Sequence, residues 1–194
     1  MLDTSFGNNG IATTQVSPTY NFVTATTVQP DGKIILVGDS GEPATYKATV
    51  VRLNTDGTLD TSFGTGGNAT ITIPSAKSFG MDVALQDDGK IVVGARTWDN
   101  VSGNMVLARL NTDGSFDSSF GTNGVVIANS GGSDVLASVI IADDGKIYIA
   151  GDSDNNFSIA RFNTDGALDN SFGTDGKVAF NFGIDHDIAT TLGI

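Results

Sequence analysis

Leu2-Asp3-Thr4-Ser5-Phe6-Gly7 returns as Leu59-Asp60-Thr61-Ser62-Phe63-Gly64, as Phe116-Asp117-Ser118-Ser119-Phe120-Gly121 and as Leu168-Asp169-Asn170-Ser171-Phe172-Gly173, at spacings of 57, 57 and 52 residues. Self-similarity at such a period marks an array of small supersecondary units rather than one ordinary core. Working outward from each copy, the chain divides into repeats over 2–58, 59–115, 116–167 and a partial 168–194, within one repeat domain spanning 1–194.

Each repeat reads as four short strands rich in β-branched residues and punctuated by Gly and Asp. Strand a covers Ile11 to Val16, Ala69 to Ile73, Val125 to Ala128 and Val178 to Phe182. Strand b covers Val23 to Val28, Met81 to Leu85, Leu136 to Ile141 and Ile188 to Leu192. Strand c covers Lys33 to Val37, Lys90 to Val93 and Lys146 to Ala150, and strand d covers Thr49 to Leu53, Met105 to Leu110 and Phe157 to Phe162. Asp-Gly joins b to c every time (Asp31-Gly32, Asp88-Gly89, Asp144-Gly145), and that dipeptide tolerates the positive φ of a tight hairpin. Strands c and d are nearly continuous apolar runs, which a strand needs when both of its faces are covered. No segment sustains a helical apolar period, so the expected class is all-β. Four-stranded antiparallel blades stacked face to face, about 3.5 repeats of 52–57 residues, satisfy this pattern as a β-propeller.

The motifs Asp88-Gly89-Lys90-Ile91-Val92-Val93-Gly94, Leu107-Ala108-Arg109-Leu110-Asn111-Thr112-Asp113-Gly114 and Asp117-Ser118-Ser119-Phe120-Gly121 are together specific, and the unit that holds them resembles the delta-60 repeat of exported bacterial proteins. The resemblance covers essentially the whole chain. It implies a β-propeller scaffold of extracellular or cell-surface location, and it brings no catalytic residues.

A polar residue present in every repeat serves what every repeat shares. Arg52, Arg109 and Arg161 hold one position of strand d, and Asp60, Asp117 and Asp169 follow eight residues later, with Asp3 as the fourth copy. Each Arg is expected to bind carbonyls or a carboxylate between blades, the bidentate pair suiting a guanidinium. Phe6, Phe63, Phe120 and Phe172 are expected to plug the d-to-a connection against a neighbouring blade. Asn54, Asp56 and Asp60, with their equivalents Asn111, Asp113 and Asp117 and Asn163, Asp165 and Asp169, place oxygens at positions 1, 3 and 7. That spacing resembles a calcium loop, but the acid at position 12 is missing. Asn-Thr and Asp-Gly are equally ordinary turn formers. Both readings stand at this point, with calcium the weaker.

Antiparallel topology puts the b-to-c turns and d-to-a loops at one end and the c-to-d and a-to-b loops at the other. The first end is nearly identical in every repeat. The second varies, and it carries Tyr20, Tyr46, the single Trp98 and the single His186. Loops on a rigid scaffold are where binding residues concentrate, so these four are the candidate contact surface for a protein or glycan partner.

Composition narrows the classes. A formal charge of -12 opposes nucleic acid and anionic membrane surfaces, and no apolar run approaches the length of a membrane span. There is no cysteine and one histidine, and no phosphate loop, metal motif or nucleophile elbow occurs. The chain is therefore expected to be no enzyme and to need no cofactor. No basic stretch followed by an apolar one stands near Met1, so an export signal would lie outside these residues. The remaining alternatives are a binding or adhesion module and a purely structural or self-assembling repeat array, whose partners are other copies or further repeats.

Overall fold

The structure, a computed structural model, describes residues 1–74, 76–128, 132–181, 183 and 189–192; among them there are twelve strands and no helix. The strands are β1 (Asn21–Val28), β2 (Ile34–Ser40), β3 (Lys47–Leu53), β4 (Asn68–Ile71), β5 (Lys77–Leu85), β6 (Ile91–Trp98), β7 (Met105–Leu110), β8 (Val125–Ala128), β9 (Asp134–Ile141), β10 (Ile147–Ser153), β11 (Asn156–Phe162) and β12 (Lys177–Phe180). They form three antiparallel meanders, β1-β2-β3-β4, β5-β6-β7-β8 and β9-β10-β11-β12.

Each sheet is out of phase with the repeat. Blade 1 takes strands b, c and d from the first repeat and strand a from the second, because β4 pairs with β3 (Val50 opposite Ala69). The same shift places β8 beside β7 and β12 beside β11. The chain thus holds three complete blades rather than three and a half. Two expected strands are absent for the same reason. Residues 12–16 form no strand, having no strand d to pair with, and only Ile11 makes isolated bridges, to Gly7 and Asn8. Thr14 and Val16 instead lie over the outer face of blade 1, in one hollow with Leu36 and Val51. Residues 189–192 likewise carry no strand, having no strand c beside them; Ile188 and Phe182 lie outside the described residues.

Two apolar layers hold the blades together. Between blades 1 and 2 pack Ile35, Val37, Val50, Ile71, Ile91, Val93 and Val106; between blades 2 and 3 pack Val92, Met105, Leu107, Leu136, Ile147 and Ile149. Blade 2 is sandwiched, so every residue of β7 is buried. Among the described residues blade 3 packs on a neighbouring blade through one face, and β11 accordingly alternates, with Ser158, Ala160 and Phe162 inside and Ile159 and Arg161 more open. The continuous apolar runs of strands c and d therefore report stacking of sheets, as the physics of double-sided burial requires.

The first strand of every blade is bulged, between Val23 and Ala25, between Gly80 and Asp82, and opposite Ala150 and Gly151. A bulge sharpens the twist and re-aims a side chain. Thr24 Oγ1 comes within 3.0 Å of the Val37 carbonyl and 2.8 Å of the Gly80 carbonyl, linking blade 1 to blade 2. Asp82, just past the second bulge, accepts from Ser138 Oγ at 2.9 Å and from the Val139 amide at 2.8 Å, linking blade 2 to blade 3.

Candidate functional site

The two ends of the blades differ in chemistry. At the uniform end every Arg of strand d meets both a carboxylate and, where another blade follows, a carbonyl. Arg52 Nε donates to Asp60 Oδ2 at 2.7 Å and its Nη1 donates to the Thr112 carbonyl of the next blade at 2.5 Å. Arg109 repeats this with Asp117 at 2.8 Å and the Thr164 carbonyl. Among the described residues Arg161 meets no such carbonyl. Its Nε lies 2.8 Å from Asp169 Oδ2 without hydrogen-bond alignment, and its other nitrogens reach Tyr148 and Ser171. Its side chain is 19 % exposed, against 9 % and 7 % for Arg52 and Arg109.

Two further partners complete each carboxylate, and neither stands out in the sequence as part of the site. Lys33, first after the Asp-Gly turn, donates to Asp60 Oδ2 at 2.7 Å; Lys90 lies 3.2 Å from Asp117 Oδ2, and Lys146 pairs with Asp169. Ser62 gives Asp60 Oδ1 both its amide (3.1 Å) and its hydroxyl (2.6 Å), and Ser119 and Ser171 do the same for Asp117 and Asp169. The Lys33 ammonium, then the Ser62 hydroxyl, hold the Asp60 carboxyl far below the usual carboxylate range. For Asp117 the Ser119 hydroxyl leads, and for Asp169 the Lys146 ammonium leads, both in the same direction. The signal for Lys and Ser was their recurrence at a fixed offset in each repeat. Among the described residues Asp3 meets no cation, and its carboxylate accepts from Ser5, at 2.9 Å from the amide and 2.6 Å from the hydroxyl.

The Phe rings stand beneath these guanidiniums: Arg52 lies 4.6 Å from the Phe63 centroid, Arg109 4.5 Å from Phe120 and Arg161 4.7 Å from Phe172. Phe63 and Phe120 are fully buried, each against a glycine in the Asn-Thr-Asp-Gly turn of the next repeat. A Cβ on Gly114 would come within 2.9 Å of the Phe63 ring and one on Gly166 within 2.9 Å of Phe120, so the seat needs glycine, which the positive φ of both positions also favours. Backbone bonds close each seam, from Gly64 to the Asp113 carbonyl (2.7 Å) and from Gly121 to the Asp165 carbonyl (2.9 Å). Phe6 and Gly7 sit on Gly57 and the Asp56 carbonyl in the same way, so the first motif fills a seam without a blade of its own.

The oxygens that resembled a calcium loop point elsewhere. Asp56 Oδ1 accepts from the Thr58 amide and hydroxyl, Asp113 Oδ1 from those of Ser115, and Asp165 Oδ1 from the Ala167 amide. Asn54 and Asn111 donate to the same Thr58 and Ser115 hydroxyls, while the Asn163 amide bonds the Ala167 carbonyl to close its turn. Asp60, Asp117 and Asp169 turn both oxygens to Lys, Arg and Ser. Among the described residues no three His, Cys, Asp or Glu converge as a metal site.

The variable end is where unlike side chains meet. Tyr20 and Tyr46 lie 4.9 Å apart by ring centroid, Phe79 follows 5.8 Å from Tyr46, and Phe22 lies 6.3 Å from Tyr20. Arg96 covers Phe79 at 5.1 Å. Asp39, buried nearby, has its carboxyl raised by that burial, with the charge of Arg96 pulling it back. Trp98, half-buried at the end of β6, shares with Tyr46 the wall of a cleft of about 350 Å³, which Lys47, Lys77, Thr72, Asp99 and Asn100 also line. The structure thus gathers Tyr20, Tyr46 and Trp98 and adds Phe22, Phe79 and Arg96, which lie in strands rather than loops. His186 lies outside the described residues.

Larger hollows lie at the periphery, one of about 1190 Å³ between the outer strands of blades 1 and 2 and the turn at Asp165. A similar one sits a repeat earlier, lined by Ser62, Asn68 and Asp113. Both are wedges left where sheets diverge and are lined largely by repeated turn residues, so their size carries less information than the unrepeated cleft at Trp98.

No curated protein matches the chain. The profile of a domain of unknown function, the DUF5122 beta-propeller, matches residues 29–63, 86–120 and 142–172, just over half of the chain. Each matched segment runs from before the Asp-Gly turn, through strands c and d, into the Asp-Ser-Phe seam described above. With three blades built on that same segment, the chain belongs to the DUF5122 β-propeller family.

Proposed function

We propose that this chain is a non-enzymatic propeller scaffold of the delta-60 kind, serving as a binding or adhesion module of an exported or cell-surface protein. The observation that carries the reading is the division of labour between the ends. The polar side chains repeated in the blades are consumed in seams and turns, while Tyr20, Tyr46 and Trp98 gather around Phe79 on loops and strand ends that differ from repeat to repeat. Binding residues gather where a rigid frame carries variable loops. The carboxylates most strongly displaced in acidity, Asp60, Asp117 and Asp169, have both oxygens engaged, which suits structure rather than acid–base work. The acidic surface favours a protein or glycan partner over nucleic acid.

The test is a glycan array and a cell-surface binding assay with labelled protein. Tyr46→Ala and Trp98→Ala should abolish the signal while leaving the thermal melt unchanged; retention of full binding by both variants would defeat the reading. A second reading, self-assembly into a larger ring or array, is favoured by the face of blade 3 that no other blade covers among the described residues, where Arg161 meets no carbonyl like those that Arg52 and Arg109 find.

A further inference from the structure

The cations of this acidic chain are unevenly employed. Of its ten Lys and Arg, six are held in the seams by Asp60, Asp117 and Asp169, and Lys177 is engaged elsewhere. The other three are Lys47, Lys77 and Arg96. Among the described residues none has a carboxylate within ion-pair distance. All three sit at the variable end of blades 1 and 2. Lys77 is the cross-strand partner of Trp98, Lys47 follows Tyr46, and Arg96 lies on Phe79, whose ring packs on Tyr46. A chain of charge -12 has thus placed its unspent positive charge beside its largest cluster of aromatic rings.

The cleft between Tyr46 and Trp98 unites these features. Its volume of about 350 Å³ falls within the range of small-ligand sites, about 300–1,000 Å³. Its walls offer two amphipathic aromatic side chains, two ammonium groups, and hydrogen-bonding groups from Thr45, Thr72 and Asn100. Asp99, the one carboxylate of the lining, is committed through Oδ1 to the amides of Val101 (2.9 Å) and Ser102 (2.8 Å), which leaves Oδ2 for a hydroxyl donor. The strand ends at the cleft are already paired, Lys47 with Ser40 and Lys77 with Trp98, so recognition falls to side chains rather than to addition of a peptide strand.

We propose that this cleft binds an acidic oligosaccharide, one whose sugar rings carry carboxylates. The apolar face of a sugar ring stacks on Trp98 or Tyr46, its carboxylate meets Lys47 and Lys77, and its hydroxyls meet Thr72, Asn100 and Asp99. This inference rests on the binding-module reading and names its ligand class.

Trp98, the only tryptophan, is a built-in reporter. The experiment titrates the whole chain with a galacturonic-acid tetrasaccharide and, separately, with the neutral galactose tetrasaccharide, following Trp98 fluorescence and backbone NMR shifts. Saturable quenching by the acidic sugar is expected, with the neutral sugar about tenfold weaker or more, and the Lys47→Gln/Lys77→Gln double variant should lose that preference. Equal response to both sugars, or an unchanged preference in the double variant, would overturn the acidic-sugar inference while leaving a binding module in place. Silence in both fluorescence and NMR shifts overturns the inference too. The glycan-array and cell-binding variants then decide separately whether the variable end binds anything else.

Discussion

At the residue scale the repeated Arg-Asp-Lys-Ser group sets both stability and its pH dependence. Removing Asp117 strands Arg109, which is buried, over Phe120, and loss of one partner of a buried pair costs about 3 kcal/mol. Asp117→Ala should therefore lower the urea midpoint steeply, whereas Asp143→Ala, in a b-to-c turn, should move it little. The folded acidity of Asp60, Asp117 and Asp169 is increased relative to the usual carboxylate value of 3.8, so their stabilisation is complete above about pH 4 and is lost as pH falls through and below it. Urea melts between pH 7 and pH 2 should show a flat neutral region and a fall below pH 4. Because Asp56, Asp113 and Asp165 spend an oxygen on their own turns, a chelator should leave the melting temperature unchanged. A drop on adding EDTA would show that cations help to hold these turns.

At the scale of elements, strands c and d were legible because Asp-Gly and Asn-Thr-Asp-Gly bracket short apolar runs, and Ile91–Trp98 and Met105–Leu110 follow those brackets closely. The phase of the sheets was not legible. A periodic sequence has no mark for where one blade stops, and strand a fits equally well before strand b or after strand d; only the pairing of Ala69 with Val50 decides. Lys33, Lys90 and Lys146 escaped notice as site members because a Lys at a strand start reads as a solvent-facing charge. Tyr20, Tyr46 and Trp98 could be placed at one end from topology alone, but Phe79 and Arg96 could not, since they look like ordinary strand residues until cross-strand pairing brings them together. The seam offers a test at this scale. Gly114→Ala would press a methyl into the Phe63 ring at a φ of +85°, so a loss of more than about 1 kcal/mol is expected in a denaturant melt. Gly183→Ala, with nothing among the described residues within 4 Å, should be nearly neutral.

At the scale of the molecule, among the described residues blade 2 is packed between two blades and blade 3 against one. Light scattering after size exclusion measures whether these faces are satisfied between copies. A mass above that of one chain, reduced to a single chain by a charged substitution at Ile159 on the open face of β11, would establish assembly through the blades. A single chain before and after the substitution would dismiss it. The acidic surface opposes close approach of copies, so any such association should strengthen as salt is raised.

The offset between sheet and repeat has a consequence for inheritance and for force. Because every blade takes its fourth strand from the next repeat, the boundary between repeats falls inside a blade and the boundary between blades falls inside a repeat. A recombination that duplicates one period, wherever in the period it cuts, adds one whole blade and leaves every seam intact, so such genes can lengthen without finding a permitted boundary. A pull on the two ends meets blades that are each continuous in the chain, so β5 to β8 leave as one unit once the packing of β5 on β1, β2, β3 and β9 gives way.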